Sequence, residues 1–161
     1  MASPFDLTDT ETYLHWRDKK LAQAIVNTGE LIVEIKDPLH VTEVERCALL
    51  SCCQRSNMAV YTSRVQMDEP MLREFGAQFG LLQLDANWLA DKHGISRIAV
   101  SNPDNQRQTY IPYTDRAIKW HTDGYYNPPQ RQIRGMVLHC AQNAGIGGEN
   151  RVMDHEIAYL M

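Results

Sequence analysis

The sequence predicts an α+β fold, because helix signals dominate the first part of the chain and strand signals dominate the second. Residues 1–94 carry helix-start patterns followed by apolar residues at helical spacing, whereas residues 95–161 carry short β-rich runs separated by turn residues. A chain of 161 residues suits one domain, and no Gly- or Ser-rich linker separates the two parts. We therefore expect a single domain over residues 1–161, mostly helical up to residue 94 and mostly strand from residue 95.

Helix-start patterns open the predicted helices of the first part. Thr8-x-x-Glu11 and Thr42-x-x-Glu45 match the capping box, in which side-chain oxygens accept hydrogen bonds from backbone N–H groups of the first turn. Asp68-Glu69-Pro70 places a capping carboxylate just before a proline, which suits the start of a helix. The four predicted helices follow Thr8, Thr42, Asp68 and Asp85, and they end near Asn27, Arg55, Gly80 and Gly94.

Short β-rich runs predict the strands. Two of them, Leu31–Ile35 and Met58–Thr62, lie between the predicted helices of the first part. The others follow Gly94, where the apolar pattern changes its period, and a last helix begins after Asp154, whose carboxylate can cap it. The predicted strands of the second part are Ile95–Val100, Gln108–Pro112, Ala117–His121, Arg134–Ala141 and Asn150–Met153.

Charge and composition argue against several classes of protein. Sixteen Lys and Arg against twenty Asp and Glu give a net charge of -4, which disfavours a nucleic-acid binder with a broad basic face. The sequence has no apolar run of about 18 residues and no signal-peptide pattern, so we expect no membrane partner and a cytoplasmic location. Cys47, Cys52, Cys53 and Cys140 form no CxxC pair, so we expect free thiols rather than a zinc finger.

A His-x-Asp motif lies in the densest polar cluster of the sequence, Trp120-His121-Thr122-Asp123-Gly124. Side chains two residues apart on a strand point to the same face, with Cα atoms about 6.6 Å apart. The His121 imidazole and the Asp123 carboxylate could therefore reach one metal ion, as in the two-His-one-carboxylate set that holds non-haem Fe(II). The alternative is a surface His–Asp pair at the end of a strand.

The surroundings of this motif carry a family resemblance. WHTDGYYNPP at residues 120–129 is followed by MVLHC at 136–140, AGIGGEN at 144–150 and MDHEIAY at 153–159. Together these segments resemble the taurine dioxygenase-like (TauD/TfdA) family of Fe(II)/2-oxoglutarate-dependent oxygenases, over roughly residues 95–161. The resemblance implies a double-stranded β-helix, a cupin-like jelly roll of about eight core strands. This chain would contain the first strands of that barrel.

The resemblance also assigns roles to individual residues. It implies that His121 and Asp123 bind Fe(II), and that Asn150 stands where a threonine usually donates a hydrogen bond to the distal carboxylate of 2-oxoglutarate. Tyr125 and Asn127 follow the metal motif and are candidates for the substrate mouth; the alternative is an aromatic loop packed on the barrel rim. The implied reaction hydroxylates a small organic substrate with dioxygen and releases succinate and CO2.

The same resemblance leaves the site unfinished within this sequence. The family places a third iron ligand, a histidine, and an arginine that binds the distal carboxylate far downstream of the motif. We therefore expect the N-terminal part of an oxygenase domain, completed by a longer chain or by a complementary C-terminal chain. A homo-oligomer is an alternative form of association. His139 and His155 are the weaker candidates for the third ligand, because both follow the motif closely. A non-catalytic module that keeps the first half of the fold and a Zn(II) hydrolase are the further alternatives.

Overall fold

A computed structural model describes residues 3–84, 94–100 and 110–160 of the chain. Its helices are α1 (Thr10–Ala22), α2 (Glu43–Ser56), α3 (Glu69–Ala77) and α4 (His155–Leu160), and its strands are β1 (Ile32–Glu34) and β2 (Val60–Thr62). Short 3₁₀ turns lie at Thr28–Leu31, Ile111–Tyr113 and Pro129–Arg131. The fold is therefore mixed α and β. The helix predicted after Asp85 lies outside the described residues.

The helix starts follow the capping chemistry of the sequence, with one correction. The capping box of α2 is confirmed: Thr42 Oγ1 accepts from the Glu45 N–H at 3.3 Å, and a Glu45 carboxylate oxygen accepts from the Thr42 N–H at 2.8 Å. The box predicted at Thr8 is wrong, because Asp9 caps α1 by accepting from the Thr12 N–H at 3.0 Å. Thr8 instead donates its hydroxyl to Asp6 at 2.7 Å. The start of α1 is thus displaced by one residue.

The first helix also ends earlier than predicted. α1 stops at Ala22, whereas Asn27 caps the 3₁₀ turn Thr28–Leu31 by accepting from the Gly29 N–H at 2.9 Å. A short amide side chain that satisfies a nearby backbone donor favours a turn over a continued helix. The Asn27-Thr28-Gly29 signal therefore opens a turn and does not close the helix.

A small parallel sheet and α2 form the centre of the helical part. β1 pairs with β2 in the register Ile32 with Val60, Val33 with Tyr61 and Glu34 with Thr62. Both strands fall inside the runs predicted as strands, Leu31–Ile35 and Met58–Thr62. The connection between two parallel strands needs a crossover, and α2 provides it. The core packed here consists of Ile35, Leu49, Met67 and Phe75, each at most 6% exposed.

The strands predicted in the second part are wrong wherever the structure describes them. Residues 95–100, 117–121, 134–141 and 150–153 form no strand there, and Ile111–Tyr113 is a 3₁₀ turn. A strand exists only as part of a ladder, because its backbone N–H and C=O groups need a neighbouring strand. The apolar residues of these segments are correspondingly open, with Ile118 50% and Met136 58% exposed. A jelly roll is not present among the described residues.

The chain divides into two compact units. The helical unit comprises Met1–Phe79 and His139–Met161, and the loop unit comprises Gly80–Leu138. The His-x-Asp motif belongs to the loop unit, and Asn150 belongs to the helical unit. The single domain expected over residues 1–161 stays a prediction. Among the described residues, every helix is too short or too polar to cross a membrane.

Candidate metal centre

The loop that carries the His-x-Asp motif is shaped by a tight turn at Gly124. This residue is buried and has a φ of +70°, which side-chain-bearing residues seldom adopt. A Cβ at this position would lie 2.6 Å from the Ile133 Cδ1 atom. The Asn127 N–H donates to the Gly124 carbonyl at 2.9 Å, and the Asn127 side-chain amide donates to the Arg131 carbonyl at 3.0 Å. Local hydrogen bonds thus hold the loop after the motif.

His121 and Asp123 lie side by side at the start of this turn. The His121 Nε2 atom is 3.7 Å from an Asp123 carboxylate oxygen. Their side chains are 38% and 53% exposed, so the pair is accessible from solvent. The expected proximity of the two groups is therefore observed, although their backbone is not a strand.

A hydrogen bond to the backbone determines which nitrogen of His121 carries the proton. The His121 Nδ1 atom lies 2.8 Å from the carbonyl oxygen of Lys119. A carbonyl oxygen can only accept, so Nδ1 is the donor and the neutral ring presents its lone pair at Nε2. This lone pair faces the carboxylate of Asp123. Histidines that bind metal ions in proteins are oriented in the same way, by donating from the other ring nitrogen to a carbonyl or carboxylate.

The donor set fits two corners of a metal site. Two ligand atoms that bind one octahedral cation at about 2.1 Å on adjacent corners lie about 3.0 Å apart. The 3.7 Å observed here would have to shorten by less than about 1 Å, which side-chain rotation at an exposed site allows. Over residues 3–84, 94–100 and 110–160, no group of three or more His, Cys, Asp or Glu side chains could hold a metal ion. The pair therefore offers two ligand atoms, and its binding of a metal ion stays a prediction.

Neither histidine considered as a third ligand lies in the loop unit. The His139 Nδ1 atom lies 2.8 Å from the Tyr61 hydroxyl, and the two rings stack at 6.1 Å. Burial raises the pKa of Tyr61 to about 12, so this hydroxyl keeps its proton at neutral pH. His155 is an exposed residue in the first turn of α4. Their alternative roles as iron ligands stay predictions.

The candidate substrate residues line a small pocket in the loop unit. Its volume is about 260 Å³, and its walls are Gly124, Tyr125, Asn127, Pro129 and Gln132. Tyr125 is 77% exposed, and its ring contacts the edge of Tyr126 with centroids 5.4 Å apart. Sequence reasoning missed Gln132, because no motif or spacing in the sequence singles it out.

Asn150 follows the predicted glycine turn in the helical unit. Gly147 and Gly148 have φ values of +76° and +80°, as a glycine-dependent turn requires. The Asn150 side chain is exposed, and its amide donates to the Gly148 carbonyl at 3.4 Å. This weak contact leaves the amide available to a ligand, and the role in binding 2-oxoglutarate stays a prediction.

Comparison with known proteins identifies the family. The family model described as Taurine catabolism dioxygenase TauD, TfdA family matches residues 18–160, which include the His-x-Asp motif and Asn150. No curated protein and no solved structure matches the chain. Members of this family are commonly dioxygenases. Because the match covers nearly the whole sequence, the chain belongs to the TauD/TfdA family.

Proposed function

We propose that this chain contributes to an Fe(II)/2-oxoglutarate-dependent oxygenase that hydroxylates a small organic substrate. The observation that carries the proposal is the His121–Asp123 pair, in which a ring nitrogen lone pair faces a carboxylate across 3.7 Å. An imidazole nitrogen and a carboxylate oxygen at this distance can share one cation, which is a proton in an ion pair and a metal ion in a metal site. Imidazole together with carboxylate is a ligand combination that non-haem Fe(II) accepts. Iron and 2-oxoglutarate, when bound, would supply the oxidising chemistry of dioxygen with release of succinate and CO2.

The residues of the chain would bind iron and 2-oxoglutarate, orient the substrate and exclude water from the site. The Lys119 carbonyl fixes the His121 ring, and the Gly124 turn brings the chain away from the ligand pair. In this proposal, the amide of Asn150 donates a hydrogen bond to the distal carboxylate of 2-oxoglutarate. Tyr125 and Asn127 border the substrate pocket. The side-chain nitrogen of Asn127 donates to the Arg131 carbonyl, which fixes the orientation of this side chain at the edge of the pocket.

A second candidate is a subunit that needs further ligands from elsewhere to become active. The observation that favours it is the partial donor set, since the described residues bring no third His, Cys, Asp or Glu beside the pair. A complementary chain or a continuation of this chain would then supply the third iron ligand and an arginine for the cosubstrate. Cys47 and Cys140 are free and exposed thiols, a state that fits the reducing cytoplasm as the location of either form.

Anaerobic titration with Fe(II) and 2-oxoglutarate tests the proposal. We expect a metal-to-ligand absorption band in the unchanged chain and iron binding weakened by more than about tenfold in His121→Ala, since even the loss of an outer-shell partner costs that much. His15→Ala is the matched control, because His15 is an exposed histidine on α1. Equal iron affinity in the two variants contradicts the ligand assignment.

Addition of dioxygen then separates the two candidates. Succinate formed by the chain alone supports the complete oxygenase. Iron and 2-oxoglutarate binding without succinate supports the subunit that requires a partner. Binding of Zn(II) with hydrolytic activity and no binding of 2-oxoglutarate would replace both candidates with a hydrolase.

A further inference from the structure

A buried lysine joins the last helix to the N-terminal helices within the helical unit. Lys20 is 6% exposed, and its ammonium group lies 2.7 Å from an Asp154 carboxylate oxygen. It also forms an ion pair with Glu156 and donates to the Arg55 carbonyl at 2.9 Å. An ammonium group has three donors, and three acceptors from α4, its cap and the end of α2 meet them here. The charge of Lys20 is therefore fully satisfied although it is removed from solvent.

Asn57 closes the same cluster from the other side. Its side-chain amide donates to Asp154 and to Glu156, each at 2.9 Å. Burial disfavours the charges, but the hydrogen bonds and ion pairs outweigh it: the pKa of Lys20 is raised and that of Asp154 is lowered. Removing one partner from such a cluster leaves an uncompensated charge, which costs more than the loss of one contact. We call Lys20, Asn57, Asp154 and Glu156 the polar clamp.

The polar clamp acts on a helix that cannot persist alone. α4 has six residues, and an isolated helix of this length is not stable in water. Asp154 caps it by accepting from the Glu156 N–H at 3.0 Å, so the residue that starts the helix also binds Lys20. Tyr159 adds apolar contacts, with its ring 5.2 Å from Phe5 and 6.1 Å from Trp16. The clamp and these rings hold α4 on α1.

The segment before α4, residues 142–153, makes few contacts that fix its backbone. In the described structure, no backbone N–H of residues 142–153 donates to a backbone carbonyl, and this whole segment is exposed. At its start, His139 meets Tyr61 at 2.8 Å and the Ala141 carbonyl accepts from Gln66 at 3.5 Å. At its end, Asp154 is held by the polar clamp. The backbone conformation of residues 142–153 therefore depends on the contacts made at the two ends of this segment.

We propose that Lys20 is a positioning residue that, through Asp154, holds α4 and the segment carrying Asn150 in the conformation that binds 2-oxoglutarate. The inference rests on the proposed function, because Asn150 is the proposed contact to the cosubstrate and lies four residues before Asp154. The ammonium group of Lys20 is already engaged by Asp154, Glu156 and the Arg55 carbonyl, so its role is to position Asp154. It acts by removing the conformational freedom that Asn150 would otherwise lose on binding.

The test compares Lys20→Met with Lys19→Met, in the full chain. Methionine is unbranched like lysine and only one atom shorter, and it carries no charge. Lys19 is the exposed neighbour of Lys20 on α1. We expect Lys20→Met to accelerate amide hydrogen exchange in α4 by about tenfold or more, with α2 unchanged, as a local opening predicts. In the Fe(II)-loaded chain without dioxygen, 2-oxoglutarate should bind about tenfold more weakly while the affinity for Fe(II) stays the same.

A second variant guards against general unfolding of Lys20→Met. Asn57 ends α2 with a φ of +56°, so Asn57→Gly keeps this left-handed conformation and removes only the side-chain amide. It should produce the same changes in α4 and in 2-oxoglutarate binding, at a smaller size.

Three outcomes of these measurements separate a failure of the inference from a failure of the proposed function. Unchanged exchange in α4 in both variants overturns the positioning role. Unchanged 2-oxoglutarate affinity, in a chain that binds the compound, overturns the inference and leaves the proposed function standing. Absence of 2-oxoglutarate binding in the unchanged chain overturns the proposed function and, with it, the role of Lys20 toward the cosubstrate.

Discussion

The helical unit and the loop unit differ in how much of their apolar surface is covered. Ile35 and Phe75 in the helical unit are 0% and 2% exposed, whereas Trp120 and Tyr125 in the loop unit are 64% and 77% exposed. Of the buried apolar side chains that the structure describes, only Tyr113 belongs to the loop unit. The residues proposed to bind iron thus lie in the unit with the smaller core.

The two units differ because a helix and an extended segment satisfy their backbone hydrogen bonds in different ways. A helix satisfies its backbone hydrogen bonds within its own segment, so the helices need only one apolar face to be covered. An extended segment needs a neighbouring strand, and residues 117–121 and 134–138 have none among the described residues. The proximity of His121 and Asp123 consequently depends on local features, the Lys119 carbonyl and the Gly124 turn, and not on a packed core.

Truncation of Phe75 should destabilise the protein more than any other substitution considered below. Phe75 is 2% exposed, and its ring packs against Tyr61 at 4.8 Å and Phe79 at 5.1 Å. Phe75→Ala leaves a cavity in the core and should lower the free energy of unfolding by about 3–5 kcal/mol, measured by urea denaturation. Leu82→Ala is the control from the loop unit, because Leu82 is 74% exposed and its truncation should cost less than about 0.5 kcal/mol. Similar losses of unfolding free energy in both variants would show that the two units do not differ in how well their apolar side chains are packed.

An intermediate effect is expected from alanine at the glycine of the motif loop. Gly124→Ala meets both a left-handed φ and a Cβ contact of 2.6 Å with Ile133, so we expect a loss of about 2–3 kcal/mol in unfolding free energy. Gly147→Ala shares the left-handed φ but has open space, and should lose about 1 kcal/mol. Gly145→Ala has neither constraint and should be neutral or slightly stabilising. Thermal denaturation of the three variants measures this order, and an equal loss in all three would contradict the structure of the turn.

The smallest effect concerns Tyr61 and carries a pH dependence. Tyr61→Phe removes the contact with His139 and should cost about 1 kcal/mol at neutral pH. Burial raises the pKa of Tyr61 from 10.0 to about 12, so the folded state binds this proton more tightly than the unfolded state. The corresponding stabilisation is complete below pH 10 and is lost as the pH rises toward 12.

Urea denaturation between pH 8 and pH 11.5, roughly the range in which tyrosines titrate, measures this difference. The unchanged protein should lose stability faster than Tyr61→Phe in the alkaline range. Tyr126→Phe is the control, because Tyr126 is 66% exposed. Parallel curves for the unchanged protein and Tyr61→Phe would show that Tyr61 is not buried as described.

Local chemistry explains why much of the helical unit could be predicted. The capping box at Thr42 and the carboxylate of Asp68 satisfy N–H groups within three residues, so their effect needs no distant contact. The same reason explains the error at Thr8, since Asp9 offers a competing acceptor one residue later. The strands Ile32–Glu34 and Val60–Thr62 lie inside the predicted runs Leu31–Ile35 and Met58–Thr62, and each strand has the other as its hydrogen-bonding partner.

The amino-acid sequence was enough to predict the family, the starts of α2, α3 and α4 and the nearness of His121 to Asp123, because these depend on residue types a few positions apart. Tertiary structure alone decided three other features: the failure of residues 134–141 to form a strand, the Tyr61–His139 contact and the polar clamp around Lys20. Lys20 and Asp154 are 134 positions apart, and nothing in the pattern around either residue indicates the other. Buried polar and charged groups must find partners, and tertiary packing decides which residues meet. The separation of two residues along the chain does not indicate whether they will be in contact.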